Sequence, residues 1–346
     1  MSLIQDLPGN IPSSNNDLVV NDFLKYFEGY LSDILDSLEP NVRNLAKSVA
    51  LAGGKRIRPA LVFACGSSNT DANRNLLKAA AIIELVHVAS LVHDDIIDEA
   101  LIRRGNPTLH SLHPKHTSIL LGDTLFSFAL ELSTEFPDNT VCSIVSRATR
   151  KTCTGEIDQN FCANNFQITK EQYFSIIQNK TGALFDAACS IGAYIAGSAN
   201  DDVSLVGDFG LSIGLSYQIY DDLSDTFGTK SKFDKTLGTD FSSGKVTLPI
   251  IRLLECATNS EKQTLLDKLE SHKTDKVFLN FVGELFSKYS IQEMCFEELK
   301  KNINKAEILL LNVSDSKISF RLSNFLQSFD HKIESLSKNF EPNFLD

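Results

Sequence analysis

An apolar helical segment that ends in acidic residues constrains this chain more than any other feature. Residues 79–92 are mostly Ala, Ile, Leu and Val, and Asp94, Asp95 and Asp98 follow them. On an α-helix, residues four apart project from one face, so Asp94 and Asp98 bring two carboxylates to one point. Like charges this close oppose folding unless a cation lies between them. The pattern therefore predicts a buried helix that carries a candidate metal site into a cavity.

The same arrangement occurs a second time. Residues 211–225 again run an apolar helical segment into Asp221, Asp222 and Asp225, with the spacing of the first motif. Two such helix ends can face each other across one cavity, where their carboxylates would need several divalent cations. Ligation by oxygen alone favours Mg²⁺, which usually completes its shell with water and phosphate oxygens. The sequence thus predicts a phosphorylated ligand.

The hydrophobic pattern predicts an all-α protein. Apolar residues recur at helical spacing along most of the chain, and no segment alternates at period two for long. No linker rich in Pro, Gly or Ser separates the two acidic motifs, so we expect one helical domain over residues 18–346, after a flexible tail over residues 1–17. The expected architecture is an antiparallel helical bundle around a central cavity, with the acidic motifs at one mouth.

Charge and cysteine content narrow the class of protein. With 44 acidic against 33 basic residues, broad electrostatic attachment to nucleic acid or to anionic lipid is not expected. The seven Cys form no C-x-x-C pair, which favours a reducing compartment over a disulfide or zinc framework. The first residues lack the pattern of a targeting peptide, and no uncharged segment has the length of a membrane span. We therefore expect a soluble, cytoplasmic protein without stable membrane insertion.

Basic residues cluster in two places. Lys55 and Arg58 follow the glycine pair at 53–54, where the backbone can approach a ligand closely. Arg binds a diphosphate through forked hydrogen bonds, and Lys binds it as a point charge. Arg103 and Arg104 follow the first acidic motif, and because they are adjacent they point in different directions. This arrangement suits two different anions.

Together these motifs resemble those of the trans-type isoprenyl (polyprenyl) diphosphate synthases, most of all the long-chain members. The resemblance covers roughly residues 20–250 and rests on five ordered motifs, which are GGKRIRPAL at 53–61, DDIID at 94–98, RRG at 103–105, DDLSD at 221–225 and KTLGTDFSSGKVTLP at 235–249. In the last motif, Ser243 stands where the family usually has Glu, and Thr236 where it often has Pro. The resemblance implies the isoprenoid synthase fold and a homodimer.

The resemblance also implies a reaction and the residues that perform it. The reaction is the Mg²⁺-dependent head-to-tail condensation of isopentenyl diphosphate with an allylic diphosphate. The implied catalytic residues are Asp94, Asp95, Asp98, Asp221, Asp222 and Asp225, of which Asp94, Asp98 and Asp221 would hold the Mg²⁺ ions. The implied isopentenyl diphosphate site consists of Lys55, Arg58, His87 and Arg104. The implied allylic diphosphate site consists of Arg103, Lys180, Thr181, Gln218, Lys235 and Lys245.

The residues just before the first acidic motif bear on product length. If the diphosphate is held at Asp94 and the prenyl tail runs back along the helix, Ala89 lies about 7.5 Å deeper. Short-chain members of the resembled family carry aromatic residues at this position or the next, whereas this chain has Ala89 and Ser90. Small residues there either leave the floor of the cavity open or allow close helix packing. With an open floor, the tail passes towards Val86 and Ile82, and the expected product is longer than twenty carbons.

Three other functions share part of this pattern. A terpene cyclase has one acidic motif but needs no second substrate site, so the basic cluster at 53–61 argues against it. A short-chain synthase, making farnesyl or geranylgeranyl diphosphate, would differ only in product length. A non-catalytic subunit of a heteromeric synthase is expected to have lost acidic or basic ligands, and all of them are present here.

Overall fold

The computed structural model of the protein describes residues 15–66, 70–227, 244–270 and 276–337, and within them the chain is almost entirely helical. The first part of the chain contains α1 (Asn15–Leu35), α2 (Pro40–Ala50), α3 (Ile57–Cys65) and α4 (Thr70–Ile97), and the first acidic motif lies at the end of α4. The middle of the chain contains a short antiparallel hairpin and six helices, which are β1 (Ile102–Arg103), β2 (Asn106–Pro107), α5 (Leu109–Leu112), α6 (Lys115–Ser133), α7 (Thr140–Phe161), α8 (Lys170–Ile177), α9 (Ala183–Ile195) and α10 (Asn200–Phe227). The last part contains α11 (Leu248–Cys256), α12 (Asn259–Glu270), α13 (Lys276–Lys288), α14 (Ile291–Leu310) and α15 (Ser316–Ser337).

Local sequence signals account for several helix ends. Pro40 opens α2, where its missing N–H is no loss because the first helical N–H groups have no partner within the helix. Gly53 follows α2 with a φ of +83°, a conformation that glycine adopts without strain. Thr169 and Gln172 form a reciprocal capping box at the start of α8. The described part of α1 begins at Asn15, and residues 1–14 of the predicted flexible tail lie outside the described residues.

The two helices that carry the acidic motifs are the longest that the structure describes, each with 28 residues. α9 lies between them, and it packs against both α4 and α10. Glycines allow this close approach, since a Cβ on Gly214 of α10 would lie 2.8 Å from the Cα of Gly182 at the start of α9. α6 covers the other side of α4, and α14 covers the other side of α10. One continuous apolar core results.

One described helical segment, Arg74–Ile97, has the length and apolar composition of a membrane span, although 67% of its apolar window is buried inside the protein. Its position in α4, covered by α6 and α9, accounts for its composition, because a helix buried on all sides is apolar all round.

Candidate active site

The first acidic motif lies where α4 ends. Asp94 and Asp95 belong to its last turn, and the N–H of Asp98 donates to the carbonyl of Asp94 at 2.8 Å. Burial, together with the charges of Glu156 and Asp98, raises the pKa of Asp94 to about 6, although Lys180 and Arg103 oppose this shift. The mutual repulsion that the spacing predicts is thus present in the structure.

The second acidic motif is more deeply buried. Asp222 is 5% exposed and Asp225 is 8% exposed, whereas Asp221 is half-buried. Two uncharged donors hold Asp222, because Tyr173 Oη donates to its Oδ2 at 2.6 Å and Gln218 Nε2 donates to its Oδ1 at 2.8 Å. These bonds fix the orientation of the Asp222 carboxylate on α10.

A π-helical turn, Gln178–Gly182, connects the two motifs. Lys180, on this turn, pairs with Glu156 of α7 and contributes to the electrostatic environment of Asp94. Its neighbour Thr181 donates through Oγ1 to Gln218 Oε1 at 2.7 Å, and Gln218 in turn holds Asp222. Adjacent residues of one turn therefore reach towards both motifs, and π-turns of this kind frequently occur at functional sites.

The π-turn can lie against α7 because α7 has a glycine there. A Cβ on Gly155 would collide with the backbone N of Lys180. Gln159, one turn further along α7, accepts a hydrogen bond from Lys180 Nζ at 2.6 Å. Glu156 and Gln159 thus hold the Lys180 ammonium beside the first acidic motif.

The predicted isopentenyl diphosphate residues come together on the α3 side of the site. Burial and the charges of Arg58 and Arg104 lower the pKa of His87, so this imidazole is neutral. Arg104 donates through Nη1 to the carbonyl of Gly53, which joins the hairpin to the loop before α3. Lys55 Nζ donates to Tyr217 Oη at 3.0 Å.

The guanidinium of Arg58 is placed so that it could bind an anionic ligand. Its Cζ lies 4.5 Å from the ring centroid of Phe185, and its buried Nε has no hydrogen-bond partner in the described part of the chain. Burial lowers the pKa of Arg58. A buried donor without a partner is costly, and an anion bound there would satisfy it.

The intervening Arg56 has a structural role that its position in the cluster does not reveal. It is 6% exposed, and its guanidinium binds Glu28 at 2.7 Å, Glu84 at 2.6 Å and the carbonyl of Ala50 at 2.7 Å. Its φ of 48° is left-handed, so the chain turns sharply at this residue. Arg56 thereby anchors the loop that presents Lys55 and Arg58.

The two adjacent arginines after α4 diverge, as their positions predict. Arg103 Nε donates to Asp95 Oδ1 at 2.5 Å, on the side of the acidic motif, while Arg104 reaches the loop at Gly53. Lys245 also approaches the first motif, with its Nζ 2.8 Å from Asp98 Oδ2. The predicted residue Lys235 lies outside the described residues, as do Thr236 and Ser243.

The two predicted chain-length residues occupy different sides of α4. At about 100° per residue, Ser90 lies about 40° around the helix from Asp94, and Ala89 lies about 140° away. Ser90 is half-buried, whereas Ala89 is 0% exposed. His87, about 20° from Asp94, is also half-buried. The accessible face of α4 below Asp94 is therefore the one that carries Ser90.

Sequence reasoning missed Tyr173 and Tyr217. Both occur within apolar helical stripes, where an aromatic residue is ordinarily assigned to the core. The one available signal was that a buried Tyr hydroxyl needs a hydrogen-bond partner. This rule applies to any buried Tyr and does not identify the partner. Here the partners are Asp222 and Lys55.

The donor set at the first motif fits a divalent cation. Among the four described ranges, no three acidic, His or Cys side chains form a ready-made metal cluster. Mg²⁺ is usually bound by one or two carboxylates together with water and substrate phosphate oxygens. Asp94 and Asp98 provide carboxylates of this kind. Burial and the charges of Glu156 and Asp98 raise the pKa of Asp94, so a cation bound there would stabilise its ionised form.

Comparison with known proteins identifies the family. A family model described as polyprenyl synthetase matches residues 39–282. A short chain isoprenyl diphosphate synthase of Methanocaldococcus jannaschii is 37% identical over 65% of this chain and 70% of its own length. Heptaprenyl diphosphate synthase component 2 of Bacillus subtilis is 30% identical over 82% of this chain and 86% of its own length.

A solved structure agrees with these relatives. It is a polyprenyl synthase from Caulobacter crescentus complexed with calcium and isoprenyl diphosphate, with a TM-score of 0.81 and 28% identity, covering 91% of this chain and 95% of that one. The fold is the all-α isoprenoid synthase fold. The family depends on a divalent metal and uses isoprenyl diphosphate substrates. This chain belongs to the polyprenyl synthetase family and is a prenyltransferase of isoprenoid biosynthesis that elongates prenyl chains.

Proposed function

We propose that this chain adds isopentenyl diphosphate head-to-tail to an allylic diphosphate and makes an all-trans polyprenyl diphosphate longer than twenty carbons. The observation that carries the proposal is the division of the cationic side chains into two sets. Lys55, Arg58 and Arg104 lie together on the α3 side. Lys180 and Arg103 lie beside the first acidic motif.

The allylic diphosphate would be held on the side of Lys180, Thr181 and Arg103, with Lys235, Lys245 and Gln218 as the further members of the implied set. Lys180 is already fixed in place by Glu156 and Gln159, so little side-chain entropy is lost when it binds a phosphate oxygen. Mg²⁺ held by Asp94, Asp98 and Asp221, with more than one ion bound, would neutralise charge on the departing diphosphate.

Isopentenyl diphosphate would be held by Lys55, Arg58, Arg104 and His87. The neutral imidazole can donate one hydrogen bond to a phosphate oxygen, and the unpartnered Arg58 Nε can donate another. Held this way, the double bond attacks the allylic cation that forms when the carbon–oxygen bond breaks. A proton then leaves the new intermediate for the released diphosphate, and an alkene is restored.

The core excludes water from the reacting carbons. α4, α9 and α10 present apolar side chains below the acidic motifs, and an allylic cation formed there meets no competing nucleophile. We infer that the prenyl tail follows the accessible face of α4 past Ser90. A serine there, rather than an aromatic residue, supports the longer product.

We also propose that the protein is cytoplasmic and works as a homodimer. A second candidate is a catalytic chain that needs a different subunit, and the similarity to a heptaprenyl synthase component 2 favours it. One experiment separates the two. The purified chain alone is incubated with Mg²⁺, farnesyl diphosphate and labelled isopentenyl diphosphate, and the dephosphorylated products are chromatographed. Long products support the proposal, whereas no turnover without a second subunit supports the alternative.

A further inference from the structure

The bundle has a second end, far from the acidic motifs. Asp202, in the first turn of α10, accepts a hydrogen bond from the N–H of Ser314 at 2.8 Å. Twenty residues separate Asp202 from Asp222, so the loop between α14 and α15 lies about 30 Å from the second motif along α10. We call this region the far end.

The start of α4 lies at the same end. Arg321 Nη2 donates to the carbonyl of Gly66 at 2.6 Å, and Gly66 packs closely against Leu76 of α4. Leu76 precedes Asp94 by 18 residues, or about 27 Å of helix. A prenyl tail that runs down α4 from Asp94 therefore points towards the far end.

Three large apolar side chains are exposed at the far end. Ile308 is 61% exposed, Leu311 is 85% exposed and Phe320 is 58% exposed. They flank one turn, where Ser319 Oγ donates to the carbonyl of Leu310 at 3.1 Å and joins the two helices. We call these three residues the far-end patch. Apolar side chains that lie together on a surface mark an interaction site more often than scattered ones do.

Lysines flank the far-end patch, although the whole chain has a net charge of −11. Apart from Glu307, the acids of α14 lie in its first half, and its lysines lie nearer the patch. Over residues 300–321 there are five bases and two acids, namely Lys300, Lys301, Lys305, Lys317 and Arg321 against Glu307 and Asp315. Of these bases, Lys301 pairs with Glu298, and Arg321 donates to the carbonyls of Ala64 and Gly66. The four lysines are exposed.

Exposed apolar side chains with flanking lysines match the surface of an anionic bilayer. The apolar groups enter the boundary between headgroups and acyl chains, and each lysine near the surface adds about 1 kcal/mol of attraction. A product of the proposed length is itself a lipid, and its tail would emerge at this end. We propose that the far-end patch docks peripherally on an anionic lipid surface, so that the product tail can pass from the bundle into the bilayer.

Sedimentation with vesicles tests this proposal, which rests on the proposed function only for the origin of the tail. The full chain, without substrates, is mixed with phosphatidylcholine vesicles that contain either no phosphatidylglycerol or about one-third of it. We expect binding to the anionic vesicles that weakens with salt. The double variant Leu311→Asp, Phe320→Asp should reduce this binding at least tenfold. Both side chains are mostly exposed, so the fold should be preserved.

Phe161→Asp is the matched control, because Phe161 is 83% exposed but lies at the end of α7 near the acidic motifs. It should bind vesicles like the wild type. The proposal is overturned if the wild type does not bind anionic vesicles or if the control loses binding equally. It is also overturned if the double variant changes only the oligomeric mass, which would make a second copy of the chain the occupant.

Turnover measured in detergent distinguishes a failure of the docking proposal from a failure of the proposed function. The double variant should retain wild-type turnover there, because the patch is about 30 Å from the acidic motifs. If the wild type binds vesicles but shows no turnover, the proposed function fails and the docking surface remains.

Discussion

Replacing Ser90 by Phe should shorten the product. Ser90 lies four residues before Asp94, or about 6 Å deeper along α4, and on the same side of the helix. On the proposed path of the tail, serine leaves the way past residue 90 open. A phenyl ring at residue 90 would block this path about 6 Å below Asp94. We expect products of farnesyl or geranylgeranyl length.

The substitution should leave the chemistry intact. Within the described residues, the side-chain hydrogen bond that it removes is the local one from Ser90 Oγ to the carbonyl of His87, at 2.8 Å. Since Ser90 is half-buried, the ring can extend into the cavity rather than into the packed core. Turnover with farnesyl diphosphate should fall most, so a shorter allylic primer is the fairer substrate for comparing rates.

Ala89→Phe is the control variant, because it places the same ring on the other side of α4. Ala89 is 0% exposed, so a ring there overpacks the core and should cost about 1–3 kcal/mol of stability. Chromatography of dephosphorylated products and urea denaturation of both variants provide the two measurements. An unchanged product distribution in Ser90→Phe would refute the reasoning. So would a shortened product in Ala89→Phe alone, because the tail would then follow the other side of α4.

Three further predictions concern the acidic motifs and the two cationic sets. Asp94→Asn should lower turnover by orders of magnitude yet raise stability in metal-free buffer. Because the folded-state pKa of Asp94 is about 6 against an ordinary 3.8, its carboxylate destabilises the fold increasingly as pH rises through this interval, by at most about 3 kcal/mol above it. Thermal denaturation in EDTA at pH 7.5 and at pH 3.5 checks this, and an equal gain at both pH values would contradict it. Lys55→Ala should raise the KM for isopentenyl diphosphate, and Lys180→Ala the KM for the allylic substrate; equal effects on both substrates would mean one shared anion site. Tyr173→Phe removes a hydrogen bond to the buried carboxylate of Asp222 and should cost about 1.5–3 kcal/mol in urea denaturation. Because Gln218 links Asp222 to Thr181 of the proposed allylic site, the KM for that substrate should rise more than the KM for isopentenyl diphosphate, a difference that a purely structural tyrosine would not produce.

The sequence by itself determined the helices and the positions of the acidic motifs at their ends. Helical periodicity is a local property, because residues three and four apart lie on one face of any α-helix. The carboxylates of Asp94 and Asp98 therefore come together whatever the rest of the chain does. Arg103 and Arg104 are adjacent in the sequence, so their side chains are expected to point in different directions. In the structure, Arg103 contacts Asp95 and Arg104 contacts Gly53.

Helix phase alone could not show which side of α4 is accessible. Ala89 and Ser90 are both small residues just before the motif, so the sequence does not indicate which of them faces the cavity. Packing against α6 and α9 leaves Ser90 accessible and buries Ala89. The same holds for the basic cluster, where Arg56 and Arg58 look equivalent until Glu28 and Glu84 are seen to bind Arg56.

The tertiary structure alone decided the contacts between distant residues. Tyr173 and Asp222 are 49 positions apart, and Lys55 and Tyr217 are 162 apart. Such pairs depend on how whole helices pack. The π-turn that carries Lys180 is decided in the same way, because α7 and α10 approach it from either side. A pattern with a period of a few residues contains no information about which helices become neighbours, and that is why these contacts could not be predicted.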